Sequence, residues 1–389
     1  MNNPPNISMF LKIVPAIFNA LTSSCLLQDS YPINLVKQNL SKNLALIDPF
    51  AGGCSIAIAR SLNAKIVFVS ALVESSLLHV VIPTLNMNFF QRSLNIFAHY
   101  GIRIFLYQLS LAKIFGYTAP GKDVYSFPES SMAMVNMHKF LEAPIPRTNA
   151  YFDIGNSIPK ITINNIDKET KSFIENYEKV VLLSFSTFTS DGVVTKELYS
   201  KYVEMFQQFP KIGFIWRQKE ILEELSKNVL LVSWINQRAI IAHPKVKILI
   251  THCGLNSIIE AINVGIPMIG IPSQGDQYSN AERIQRAEIG IIFKQSTFSS
   301  KDLSNAHEKI FKEGNKHEKN AKRMKEMLEF ERKSGLSTDI SWTLNKFLKT
   351  DTEHFQQFYI PKGNRDSWKN FLYFDWIFIF IVLLILIKS

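Results

Sequence analysis

Short apolar runs alternate with amphipathic stretches along two parts of the chain. In the first part, LALIDPF (Leu44 to Phe50) predicts a buried strand ending in a proline turn, AGGCSIAIARSL predicts the small-residue start of a helix, and AKIVFVSA (Ala64 to Ala71) predicts a second buried strand. Strand, helix and strand of these lengths form a parallel βαβ unit. From Leu72 to about Phe140 the chain is rich in Phe, Met, Leu and Tyr, which suits helices lining an apolar cavity and equally suits plain core. The Pro-rich passage APIPRTNAYFDIGNSIP (Ala143 to Pro159) then breaks the pattern and predicts a linker. Beyond it the alternation resumes: strand VVLLSFS, a helix over Glu197 to Gln208, strands KIGFIWR, VLLVSW and VKILITH, helix SIIEAINV and strand PMIGIP. Repeats at these intervals describe a doubly wound parallel sheet, so the fold class is α/β and the second part is Rossmann-like.

Length agrees with two lobes, because 389 residues exceed the roughly 250 to 300 that one core accommodates. The expected division is an N-terminal lobe over 1–150, a linker over 151–178 and a second lobe over 179–350. A composition 47% hydrophobic and 20% charged excludes a disordered or fibrous chain. The net charge of +10 does not point to nucleic acid, since much of it lies in a Glu- and Lys-mixed run between Lys301 and Lys333 that reads as a solvated helix face. Three widely spaced cysteines form no metal-ligand pattern, and no metal or other cofactor is expected.

The chain ends in an apolar run, Phe371 to Ile387, interrupted only by Asp375. As a helix it would extend about 26 Å, within the range for one membrane span. Trp368, Tyr373 and Trp376 cluster at its start, as at a membrane interface. Counting Lys362, Arg365 and Lys369 against Lys388 would place the bulk of the chain in the cytosol. The N-terminal residues lack the basic, apolar and small-residue order of a secretory signal.

Ligands of open parallel sheets collect at the carboxyl ends of strands, where helix N-termini point at them. Here the strand VKILI runs into Thr251-His252-Cys253-Gly254-Leu255-Asn256-Ser257 and a helix begins at once. Gly254 permits a tight turn, and Asn256 with Ser257 occupies the N-cap region, a seat for a pyrophosphate. Glu260 follows Asn256 by four residues on the same helical face, in reach of ribose hydroxyls. Trp234 and Gln237 close another strand, where an indole stacks on a flat base and an amide pairs with its edge. Asp276 and Gln277 lie past a third strand and suit sugar hydroxyls. Ser184 to Thr187, with Ser186 and Thr187 singled out, supply hydroxyls near the phosphates.

The residues W-x-x-Q (Trp234 to Gln237) and AHPKVKILITHCGLNSIIEAINVGIPMIGIPSQGDQ (Ala242 to Gln277) resemble the signature of the UDP-glycosyltransferases, including the animal UDP-glucuronosyltransferases. The resemblance is dense from Val180 to Phe293. It implies a GT-B fold of two facing Rossmann-like lobes, the first incomplete, with a C-terminal transmembrane helix over 371–387. By resemblance Trp234 stacks on uracil, Gln237 contacts the base, Glu260 the ribose, His252, Asn256 and Ser257 the diphosphate, and Asp276 with Gln277 the sugar, Gly254 being counted with them in the UDP-sugar site. A weaker match places Asp48 as the carboxylate that orients a catalytic histidine, and no histidine precedes it in the chain. Ser186 and Cys253 stand where many members carry Gly.

The resemblance implies inverting transfer from UDP-glucuronic acid or UDP-glucose to a small lipophilic acceptor, by an endoplasmic reticulum protein with its bulk in the lumen. That placement is preferred over the charge count. Transfer is expected to be impaired, the chain reading as an incomplete form without the histidine segment. The alternative is an inactive UDP-sugar-binding relative that acts as a partner subunit, and homo- or hetero-oligomers both stay open.

Overall fold

The computed structural model describes residues 44–47, 64–70, 89–90, 93, 132–138, 140–142, 149–157, 161–185, 196–218, 224–312 and 314–351. Asp48, Ser186, Thr187 and the apolar run 371–387 lie outside them. Two parallel sheets organise the described residues. The first joins β1 (Leu44–Ile47), β2 (Lys65–Ser70), β3 (Met132–Val135) and β4 (Tyr151–Asp153) in the order β1-β2-β3-β4. The second contains β5 (Val180–Ser184), β6 (Gly213–Arg217), β7 (Val229–Val232), β8 (Val246–Thr251), β9 (Met268–Gly270) and β10 (Gly290–Ile292), ordered β10-β9-β8-β5-β6-β7. The helices are α1 (Lys168–Glu175), α2 (Lys196–Gln208), α3 (Gln237–Ile241), α4 (Leu255–Val264), α5 (Gln277–Arg286), α6 (Ser300–Phe311), α7 (Lys316–Lys333) and α8 (Ile340–Lys349).

Strands β5 and β8 are apolar almost throughout because helices cover both faces of the sheet. Alternate residues of β5 serve opposite cores. Val180 and Leu182 pack with Leu249, Ile258 and Leu328 on one face, whereas Val181 and Leu183 pack with Ile250, Tyr202 and Leu303 on the other. On this second face Tyr199, Tyr202 and Phe206 of α2 surround the fully buried Trp216 at ring-centroid distances of 4.5, 5.5 and 5.5 Å.

Three features differ from the sequence-based expectation. Strand β3 lies inside the Leu72–Phe140 stretch, where helices or core were expected, and β4 lies inside the passage expected to be a linker. Helix α8, assigned by its position to the second lobe, instead packs Phe347, Leu344 and Ile340 against Val67, Met132 and Met134 of the first sheet. Lys65 Nζ secures its end by donating to the carbonyls of Phe347 at 2.8 Å, Leu348 at 3.0 Å and Thr350. A cation there complements the negative end of the helix dipole. Among the described residues no helix is long and apolar enough to cross a membrane.

Buried polar side chains tie the first sheet to the second lobe. Phe140 N donates to His138 Nδ1 at 3.2 Å, which leaves the proton on Nε2, 2.6 Å from Glu331 Oε2 of α7. Asn156 Nδ2 donates to the same carboxylate at 3.3 Å and to Leu328 O at 3.1 Å, while Arg332 Nε donates to Asn156 Oδ1 at 2.9 Å. Both His138 and Glu331 are buried, so removing either partner would strand the other in a poorly solvating interior.

His307 of α6 sits in the second core between Phe209, Phe311 and Phe214, at centroid distances of 4.3, 4.3 and 5.8 Å. Among the described residues neither ring nitrogen has a hydrogen-bond partner. Burial, aided by the Lys179 ammonium, holds its pKa down to about 3. An unfolded chain therefore takes up a proton on this ring near pH 6.5 while the folded chain does not, and stability falls as the pH drops from 6.5 towards 3. We predict that His307→Phe stabilises the protein, and that the gain measured by urea unfolding is about 2 kcal/mol larger at pH 5 than at pH 8. A gain equal at both pH values would show that the ring is protonated in the folded state.

Candidate donor-binding site

The second sheet reverses its direction of winding between β5 and β8. From β5 the chain passes to α2 on one face, and from β8 to α4 on the other, and a sheet wound this way opens a crevice at the tips of these two strands. The residues singled out from sequence gather around it.

At the tip of β8 the chain turns through Cys253, whose φ of 67° lies in the left-handed region. Glycine adopts that conformation at no steric cost, whereas a cysteine there is held by its surroundings. Gly254 is not the sharp turn that the sequence suggested. It is extended (φ −63°, ψ 136°), and its missing side chain makes room for His252, since a Cβ there would lie 2.6 Å from Nε2. The His252 ring is buried and hydrogen-bonded to the Ser184 backbone at the tip of β5. Burial, with the nearby Arg217 charge, lowers its pKa to about 4, so it is a neutral wall of the crevice at pH 7.

Gly254 is the N-cap of α4, and no side chain caps the helix. The first backbone N–H groups, at Leu255, Asn256 and Ser257, thus face outward at the positive end of the helix dipole, an arrangement that attracts an anion. Asn256 and Ser257 lie within the first turn rather than at the cap. Exposed Asn256 accepts a 2.7 Å hydrogen bond from Asn136 Nδ2, just past β3, so the first sheet borders the crevice.

Strand β7 leads through Ile235 to Asn236, whose side chain caps α3 by accepting from Ala239 N at 3.3 Å. Helix α3 packs against β5, β8 and α4. The connection from the edge strand must therefore span the tips of β6 and β5, and it carries Trp234 with its indole 72% exposed. Gln237 opens α3 and donates to Ser257 Oγ at 3.0 Å and Glu260 Oε2 at 2.7 Å. Its amide nitrogen is engaged in holding this pair, and its carbonyl oxygen is the group left for a ligand. Burial raises the Glu260 carboxyl above the usual carboxylate range, opposed by the Gln237 hydrogen bond and the Arg238 charge.

Past β9, Gln277 Oε1 accepts from Ser273 N (2.9 Å), Ser273 Oγ (2.9 Å) and Gln274 N (3.1 Å), folding the Ser273–Gln277 loop on itself. Asp276 stands at the start of α5, with Oδ2 accepting from Asn280 Nδ2 at 2.8 Å. The same amide donates to Cys253 O at 3.0 Å, which ties Asp276 to the turn after β8. Burial raises the Asp276 carboxyl, opposed chiefly by the Asn280 hydrogen bond.

The structure thus brings Gln237, Ser257 and Glu260 together on one side of the α4 N-terminus and Asp276 on the other, with His252 and Gly254 at its base. Asp48, Ser186 and Thr187 fall outside the described residues. Asn136, Asn280 and Arg217 were missed. Of these only Asn280 carried a local signal, its helical i+4 spacing from Asp276. Among the described residues no group of three or more His, Cys, Asp or Glu side chains could hold a metal ion.

Comparisons with known proteins bear on the family and the fold. Residues 8–329 match the family described as UDP-glucoronosyl and UDP-glucosyl transferase. UDP-glucuronosyltransferase 3A1 of Xenopus laevis is 27% identical over 301 residues, 70% of this chain and 56% of that protein. The match spans between 27% and 56% of the length of the curated relatives. The solved structure of the glycotransferase of kitacinnamycin superposes with a TM-score of 0.58 at 19% identity, covering 80% of this chain and 77% of the other. That of UDP-glucose: anthocyanidin 3-O-glucosyltransferase in complex with UDP gives 0.54 at 19% identity, covering 76% and 72%. These likenesses establish a GT-B-like fold.

We predict that Gly254→Ala destabilises the protein by about 1 to 3 kcal/mol in denaturant unfolding, because the buried His252 ring, tied to Ser184, has no room to retreat. An unchanged midpoint would mean the ring moves freely.

Proposed function

Since the chain belongs to the UDP-glucuronosyl and UDP-glucosyl transferase family, we propose that it binds a UDP-hexose at the tips of β5, β7, β8 and β9 and serves transfer of the glucuronosyl or glucosyl group. The observation that carries this reading is the uncapped N-terminus of α4 at the reversal of the sheet, with Gln237, Ser257 and Glu260 fixed beside it. On this reading the diphosphate meets the free N–H groups of α4, Glu260 accepts from the ribose hydroxyls, and the exposed Trp234 indole stacks on uracil.

Transfer proceeds by attack of an acceptor hydroxyl on the anomeric carbon, with inversion, as UDP departs. The charge that develops on UDP falls at the positive end of α4, where preorganised N–H groups stabilise it without a metal. In this scheme the acceptor proton goes to a general-base histidine that Asp48 orients, and no histidine precedes Asp48 in this sequence. His252 does not suit that role, because its ring is buried against Ser184 and Gly254. The acceptor is a small lipophilic alcohol, and the apolar run 371–387 anchors the protein in the endoplasmic reticulum membrane with its bulk in the lumen.

Glu260→Ala is expected to weaken UDP binding by about 1 to 3 kcal/mol in a calorimetric titration, the scale of a lost hydrogen bond to a charged group. Unchanged affinity would reduce Glu260 to a helix residue that merely anchors Gln237.

A further inference from the structure

Asp276 holds the position that ordinarily caps a helix, yet it does not cap α5: its backbone is helical (φ −68°, ψ −14°) and its side chain takes no backbone N–H of the helix. The carboxylate is instead held from the side. Asn280 Nδ2 donates to Oδ2 at 2.8 Å, and no other side chain among the described residues donates to the carboxylate, which leaves Oδ1 for a ligand.

Asn280 is itself fully buried and its amide has no freedom to flip. Its nitrogen donates to Asp276 and to Cys253 O, while its oxygen accepts from Arg283 Nη1 at 3.0 Å. Flipping the amide would set oxygen against two acceptors and nitrogen against a guanidinium. The Arg283 guanidinium is oriented in turn by Glu142, whose Oε2 accepts from Nε at 3.2 Å and Nη2 at 2.8 Å. Both side chains of this pair are almost wholly buried. Glu142 lies past β3, on the first-sheet side of the crevice, and Arg286 donates to the neighbouring Leu141 carbonyl.

A chain of side chains therefore runs from the first lobe through α5 to the carboxylate at the sugar end of the crevice. We infer that Asn280 is a positioning residue for donor-sugar recognition: it presents Asp276 Oδ1 to a sugar hydroxyl, in an orientation set across the lobe boundary by the Arg283–Glu142 pair. This inference rests on the UDP-hexose reading of the site.

The test titrates the full chain with UDP, UDP-glucose and UDP-glucuronic acid, for the wild type, Asn280→Ala and Glu142→Gln. UDP lacks the sugar and reports the rest of the site. We expect Asn280→Ala to raise the ratio of the better UDP-sugar Kd to the UDP Kd about tenfold, and Glu142→Gln to raise it about threefold; taking the ratio cancels any loss that Asn280→Ala inflicts on UDP itself through the Cys253 carbonyl. A purely structural Asn280 would weaken UDP and UDP-sugar in parallel or change only the thermal midpoint, and either result overturns the inference. Should Asn280→Ala fail to fold, Glu142→Gln decides alone: a raised ratio supports the inference and an unchanged ratio overturns it. Failure of the wild-type chain to bind UDP would sink the UDP-hexose reading itself, and this inference with it.

Discussion

The candidate donor site depends on one pairing, that of β5 with β8. Their backbones are hydrogen-bonded neighbours in the centre of the sheet although α2, β6, β7 and α3 intervene in sequence. Because the chain departs from these two strands to opposite faces, no crossover helix can cover both tips. The gap is a consequence of winding and exists before any side chain is placed in it. What the side chains add is polarity of the right sign: the N-terminus of α4 points into the gap, and β8, the strand that delivers it, is fixed on both faces by apolar packing. A helix dipole is useful for binding only when its end cannot drift, and this one is anchored by the core.

The turn that connects β8 to α4 carries a conformational cost. Cys253 sits at φ 67° with its thiol buried against Gly270, where a side chain would lie 2.4 Å from Sγ. Burial pushes the thiol pKa well up, so the group is inert filling. A non-glycine residue held in the left-handed region costs on the order of 1 to 3 kcal/mol. The surrounding sheet over-determines the turn, with Asn280 holding the Cys253 carbonyl and Thr251 O accepting from Ile271 N at 2.9 Å. Gly254 then has a different task, to leave space for the imidazole that closes the crevice floor.

Much of the second lobe was legible in the sequence because its strands are buried on both faces. VVLLS is apolar up to its final serine and VKILIT is interrupted only by the exposed Lys247, a pattern that few other structures would accommodate, and the polar residues that end such runs fall automatically at strand tips. The division of labour in the turn was not legible, since sequence alone assigns the sharp bend to glycine and cannot see a ring approaching Gly254. Strand β4 escaped because it has only three half-buried residues, defined by pairing with β3 and not by its own pattern. The amphipathic period of α8 shows that one face is buried but not against which sheet. Asn256 was legible as a polar residue near a helix start, whereas its partner Asn136 lies 120 residues away. Local spacing encodes neither that contact nor the His138–Glu331 and Glu142–Arg283 pairs.

Those distant pairs have a physical logic of their own. Burying a carboxylate with its partner, a guanidinium for Glu142 and an imidazole N–H for Glu331, gains little net stability, because the desolvation cost offsets most of the attraction. Separating them afterwards is expensive, because the carboxylate, and in the arginine pair the cation too, is left charged and unsolvated. An apolar interface between the lobes would tolerate sliding, since apolar contacts are interchangeable, whereas a bidentate guanidinium or a histidine with both nitrogens engaged accepts one relative placement. The two buried pairs fall at separate points of the boundary, Glu331 on α7 and Arg283 on α5, and two fixed points constrain rotation as well as separation. The first lobe is thereby held in one register against the crevice, with Asn136 brought to Asn256, and the polar geometry of the second lobe is set in part by residues outside it.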